Sequence, residues 1–140
     1  IVERAMWWPG PTSTTWSEGH NSAGATETGT KWALAEGEMG GTRSTETYVT
    51  VANTSAFPGH AHVTFVFEDG TTLVPDDLLL PRTSRTNLPI PATCAGRRFG
   101  TIIESVGVVR AQLVVERPMY SSAGGVPWAA GSVALGTRLQ

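Results

Sequence analysis

The sequence has one cysteine, Cys94, and one lysine, Lys31, among 140 residues. A lone cysteine excludes an intramolecular disulfide and a cysteine-based zinc site. Charged residues make up only 16% of the chain, and the only adjacent cations are Arg97-Arg98. Nucleic acids and anionic membrane surfaces are held by clustered positive charge, so neither is an expected partner. The longest apolar run, 106–115, is interrupted by Arg110 and Gln112. It falls short of the ~20 residues that span a bilayer, so no membrane insertion is expected. No Gly-x-Ser-x-Gly, phosphate loop or His-Glu-x-x-His occurs. The expectation is a protein that is not an enzyme, with no catalytic residues, no metal site and no cofactor.

What the chain does contain is glycine, proline, threonine and short alternating runs, a composition that suits an all-β protein with many turns. The clearest strand is 60–68, where Val63, Phe65 and Phe67 alternate with His62, Thr64, Val66 and Glu68. Asp69-Gly70 follows as a hairpin turn, with 71–74 as the returning strand. Further strands are expected at 1–8, 30–36, 45–53, 86–90, 99–105 and 108–117, the last with Ala111, Leu113 and Val115 inward. Pro118 is expected to break pairing. Residues 9–29 and the tail 120–140 read as loops. Seven or eight short strands at roughly ten-residue spacing indicate an Ig-like antiparallel β-sandwich.

One stretch occurs twice. Ile1-Val2-Glu3-Arg4-Ala5-Met6-Trp7 is matched by Val114-Val115-Glu116-Arg117-Pro118-Met119-Tyr120, with Val2 and Val115 standing 113 residues apart. Downstream, Trp16 matches Trp128, Gly19 matches Gly131 and Gly24 matches Gly136, at an offset of 112. A one-residue slip after a Gly/Pro-rich loop marks an internal repeat with one deletion. Residues 30–140 then form one module. Residues 1–29 are the terminal strand and connector of a preceding repeat, so the chain reads as a processed product or a piece of something longer.

These motifs together are familiar: Trp32-Ala33-Leu34-Ala35-Glu36-Gly37, Glu46-Thr47-Tyr48-Val49-Thr50-Val51-Ala52-Asn53, Ser84-Arg85, Phe99-Gly100 and Val115-Glu116-Arg117-Pro118-Met119-Tyr120. The chain resembles the functionally uncharacterised Ig-like repeat modules at the C-terminal ends of large secreted or surface proteins of environmental bacteria. That resemblance implies an extracellular or cell-surface β-sandwich, often in tandem, and carries over no catalytic residue. The second copy departs from the pattern, with Ala130-Gly131-Ser132-Val133 where the first has Glu18-Gly19-His20-Asn21. His60-Ala61-His62 reads as local variation.

Several side chains are candidates for a role. His60 and His62 share a strand face, but a metal needs a third ligand and supporting partners; an exposed pair is the expectation. Glu18 and His20 are of acid/base type, yet they sit in repeated loop sequence where docking contacts are expected. Glu3-Arg4 and Glu116-Arg117 point to opposite faces of a strand, so each must find its partner on a neighbouring strand. Among five tryptophans, Trp8, Trp16 and Trp128 are candidates for stacking on a polysaccharide. The assembly candidates are Ile1, Val2, Glu3, Arg4, Met6, Trp7, Trp8 and Trp16. A strand without its own module is a template for association, which leads to the expectation of a structural subunit forming homo-oligomers or homopolymers head to tail by strand addition. The alternative is a carbohydrate-binding or adhesin stalk module of a larger secreted protein.

Overall fold

A computed structural model describes residues 2–8 and 18–140. Ile1 and Trp16 lie outside the described residues. The strands, in chain order, are β1 (Glu3–Trp8), β2 (Glu18–Ala23), β3 (Lys31–Leu34), β4 (Glu46–Thr47), β5 (Val49–Asn53), β6 (Gly59–Phe67), β7 (Thr72–Leu73), β8 (Leu78–Leu80), β9 (Ser84–Leu88), β10 (Phe99–Val106), β11 (Leu113–Ala123), β12 (Val126–Leu135) and β13 (Thr137–Arg138). Ala92–Cys94 forms a single 3-10 turn that buries Cys94.

The fold is an antiparallel β-sandwich. One sheet runs β13-β3-β10-β6-β7, with β8 also on β6. The other runs β12-β11-β5-β9, with β4 also on β11. The core lies between them. Alternation dictates which side chains enter it: β6 buries Ala61, Val63, Phe65 and Phe67 and leaves His60, His62 and Val66 outside. Each fully buried Val or Phe there contributes about 1.5–3 kcal/mol of transfer free energy. Phe99 packs edge-on against both Phe65 and Phe67. Facing them, Ala111 just ahead of β11 and Leu113 and Val115 within it are fully buried, as their spacing predicts.

Asn53 joins the layers with a polar hub. Its amide donates to the carbonyls of Phe57, Leu80 and Pro81, and its oxygen accepts from the Ser55 amide. Its side chain is thus committed inside the fold, although Asn53-Thr54-Ser55 has the form of a glycosylation acceptor.

The two expected loops contain strands. Residues 18–23 pair with β1, and 126–135 with β11. Gly, Ser and Ala make up half of both segments, so neither shows the apolar alternation that marks a strand. Their small residues instead make room for aromatics on the partner strand. The described residues hold thirteen strands, more than the expected seven or eight, because the expected strand 45–53 is divided into β4 and β5, the expected tail loop holds β12 and β13, and β2 and β8 add to the strands that alternation marks. Pro118 does not end its strand; it stays in register with Val133, and β11 runs on to Ala123. Proline's missing N–H is harmless here because it faces the break between β4 and β5, where the Pro118 carbonyl accepts from Tyr48. The irregularity lies beyond it, between Ser121 and Ala123. Gly124 and Gly125, with φ of 58° and 78°, then make the two-residue turn into β12.

Candidate functional site

The repeat seen in the sequence is a repeat of structure. β1 and β2 form a sheet of their own, with Glu3 opposite Ala23, Arg4 opposite Ser22, Ala5 opposite Asn21, Met6 opposite His20, Trp7 opposite Gly19 and Trp8 opposite Glu18. Shifted by the offsets of 113 and 112, these are the β11–β12 pairs: Glu116 with Leu135, Arg117 with Ala134, Pro118 with Val133, Met119 with Ser132, Tyr120 with Gly131 and Ser121 with Ala130. The closing bonds also correspond, Gly24 N–H to Val2 O at 2.7 Å and Gly136 N–H to Val115 O at 2.8 Å. In both hairpins an aromatic lies across a glycine. A Cβ on Gly19 would stand 2.9 Å from Trp7 Cδ1, and one on Gly131 would stand 2.8 Å from Tyr120 Cδ1.

The first hairpin lies on the outer face of the second, with β2 against β12. Alternation turns Arg4, Trp8, His20 and Ser22 toward the sandwich and leaves Glu3, Ala5 and Trp7 outside. The joint is aromatic. The Trp8 ring meets Tyr120 edge-on at 5.2 Å and His20 at 5.4 Å, and Trp128 stacks on Tyr120 at 5.0 Å. Tyr48 meets Tyr120 edge-on at 6.1 Å. Trp8 Nε1 donates to the Trp128 carbonyl at 2.8 Å, and His20 Nε2 lies 3.3 Å from the Tyr120 hydroxyl. Gly131 permits this approach, since a Cβ there would stand 2.7 Å from the Trp8 ring. Trp128 holds a φ of 54°, an unfavourable conformation for a tryptophan, and its carbonyl is the one that accepts from Trp8.

The repeated Glu-Arg pair explains the charges. Arg4 Nη1 meets Glu116 Oε2 at 3.3 Å, so the Arg of one copy pairs with the Glu of the other. The equivalent Arg117 points into the sandwich, 3.3 Å from Met119 Sδ and 3.8 Å from Glu36. Its burial lowers its pKa, partly offset by Glu36. Arg4 Nε and Nη2 and His20 Nδ1 are buried without partners among the described residues. Burial first, then the Arg4 charge, pushes the His20 pKa below its ordinary 6.5, with Glu116 opposing. Burial raises the Tyr120 phenol. The hydrogen bond from Tyr48 to Glu46 at 2.6 Å pushes the Tyr48 phenol up to about 12.

The structure therefore gathers Arg4, Trp8 and Trp128 at one joint, together with His20. It leaves Val2 and Trp7 exposed and Met6 at the edge. Glu18 stands opposite Trp8 in the β1–β2 register, on the same face of β2 as His20. Tyr120 and Tyr48, which sequence reasoning left out, form the floor of the joint; the match of Trp7 to Tyr120 was the available signal. His62 pairs with Asp77 at 2.9 Å, and no cluster of three metal-ligating side chains occurs among the described residues. No helix among them is long and apolar enough to cross a membrane.

No family model matches the chain. No curated protein matches it either. Solved structures do. The chain is similar to the Thermotoga maritima 1070 protein, with a TM-score of 0.63 and 14% identity over 79% of this chain and 94% of that one. It is similar to the Anabaena sensory rhodopsin transducer, with a TM-score of 0.50 and 22% identity over 64% of this chain and 86% of that one. At these identities the likeness is one of fold.

Proposed function

We propose that this chain is a non-catalytic structural subunit of an extracellular or cell-surface assembly that associates head to tail through its N-terminal hairpin. The observation that carries the reading is the joint itself. The β1–β2 hairpin is a pair-for-pair copy of β11–β12, forms a separate sheet and is seated on the sandwich by side chains. A two-stranded hairpin alone is marginally stable in water, so it needs a surface. The outer face of β11–β12 on a neighbouring copy offers the same Glu116, Tyr120 and Trp128 groups as its own. Moving the hairpin to the neighbour conserves every joint contact and opens the 24–26 segment as a hinge, since Glu27, Thr28 and Gly29 are tied to the sandwich. Each acceptor copy has a hairpin of its own to pass on, so the series need not close and a filament or surface array results. Because β1 already pairs with β2, the favoured mode is docking of a face, with strand addition at the edge of β1 that is unpaired among the described residues as a second route.

The same joint suits a tandem array, in which the repeated hairpin links successive modules. The carbohydrate reading rests on Trp128, which stacks on Tyr120 and remains 40% exposed. Deleting residues 1–8 separates these readings. Head-to-tail association requires that deletion to abolish assembly and leave the sandwich folded; polysaccharide retention that survives it and is lost on Trp128→Ala supports the carbohydrate reading instead.

A further inference from the structure

We infer that the solvent face of the β1–β2 hairpin is a second acceptor face, and that its occupant is the β1–β2 hairpin of another copy of this chain. The inference rests on the release of the hairpin proposed above, and adds a site to it. Three groups on the outer face of β11–β12 receive the hairpin: Glu116 takes Arg4, the Tyr120 ring takes the edge of Trp8, and Gly131 leaves the space that Trp8 fills. The repeat places their counterparts Glu3, Trp7 and Gly19 at the same register on the outer face of β1–β2. The aromatic lies over its glycine in the same way on both faces. On the first hairpin this face is uncovered: Trp7 is 62% exposed, and Glu3, Ala5 and Gly19 are exposed too. A face that reproduces the acceptor at matching positions is fitted to the same donor, which brings Arg4 to Glu3 and Trp8 to Trp7 and Gly19. The counterpart of Trp128 is Trp16, outside the described residues. Docking here extends the stack of hairpins and gives each subunit a second point of attachment, so that an assembly can branch or pack laterally.

The test mixes two full-length forms. The donor carries Glu116→Arg, which repels Arg4 and frees its hairpin, and Glu3→Arg, which stops it accepting. The acceptor is the unmodified chain with its own hairpin seated. Sedimentation velocity should show a one-to-one complex, weakened roughly tenfold or more when Glu3→Arg is placed on the acceptor, and weakened likewise by Trp7→Ser there. A second donor, Gly131→Val with Glu3→Arg, frees the hairpin by sterics and guards against a misfolded first donor. Absence of a complex with both donors overturns the inference. So does a complex indifferent to the acceptor's Glu3 and Trp7. That last result would place the donor hairpin on the Tyr120 face by displacement, and leaves head-to-tail exchange standing.

Discussion

Arg4 and Glu116 meet at 3.3 Å across two copies of the same Val-Glu-Arg sequence, one on a hairpin that sits on the sandwich and one on a strand built into it. The repeat thus uses one motif in two ways. In β11 the arginine enters the fold beside Glu36 and the glutamate faces out. In β1 the arginine faces the outward glutamate of its own duplicate.

This pairing is testable by charge reversal. Arg4→Glu and Glu116→Arg should each loosen the joint, and the double variant should recover part of the loss. The pair is partly exposed, so the coupling in a double-mutant cycle is expected at about 0.2–1 kcal/mol. Protection of the 18–23 amides against hydrogen exchange is the readout, because global unfolding would not separate the joint from the core.

Trp8→Ala removes the ring that packs on both Tyr120 and His20 and the hydrogen bond to the Trp128 carbonyl. With the ring half-buried, the expected cost to seating is about 2–3 kcal/mol. The core does not include Trp8, so limited proteolysis should cut the freed hairpin while the 30–140 sandwich keeps its melting temperature.

How much of this was legible in the sequence depended on which side chains carry the pattern. Strand β6 could be read directly because Val63, Phe65 and Phe67 alternate with polar residues on a half-buried surface. Strands β2 and β12 could not, since Gly19 and Gly131 take part in the fold by leaving space under Trp7 and Tyr120, and an absent side chain has no hydropathy. The repeat was visible as an offset, and its one-residue slip falls after Trp8 and Ser121 and before Glu18 and Ala130, so the register of the matched pairs survives. The seat of the hairpin was not visible: identical strands compete for identical partners, and alternation alone does not say whether the Arg4 face or the Glu3 face turns inward.

Acid should loosen the joint. The His20 pKa is depressed when the hairpin is seated, through burial and then Arg4, whereas the released hairpin titrates near 6.5. As pH falls from that value toward the lower seated one, the released form takes up its proton first and is favoured. Seating is therefore complete above 6.5 and weakens below it. Exchange protection at 18–23 should fall as the pH drops below about 6.5. His20→Gln should flatten that profile; an unchanged profile would assign the effect to other groups.

Asn53→Ala provides the contrast. It leaves the carbonyls of Phe57, Leu80 and Pro81 without their shared donor inside the sandwich. The expected loss is about 2–4 kcal/mol of global stability, seen as a lower urea midpoint with the seating of β1–β2 unchanged relative to the folded state.

The central claim is that the N-terminal hairpin can seat on a neighbour as it does on its own sandwich. The most direct measurement is the solution mass of the full chain after the joint is opened in mild urea at high protein concentration and then closed by dilution. Head-to-tail exchange gives a ladder of multiples of 14.8 kDa, lengthening with protein concentration during closure and collapsing to the monomer in Trp8→Ala. A single 14.8 kDa species at every concentration, with the hairpin seated and protected, would contradict it.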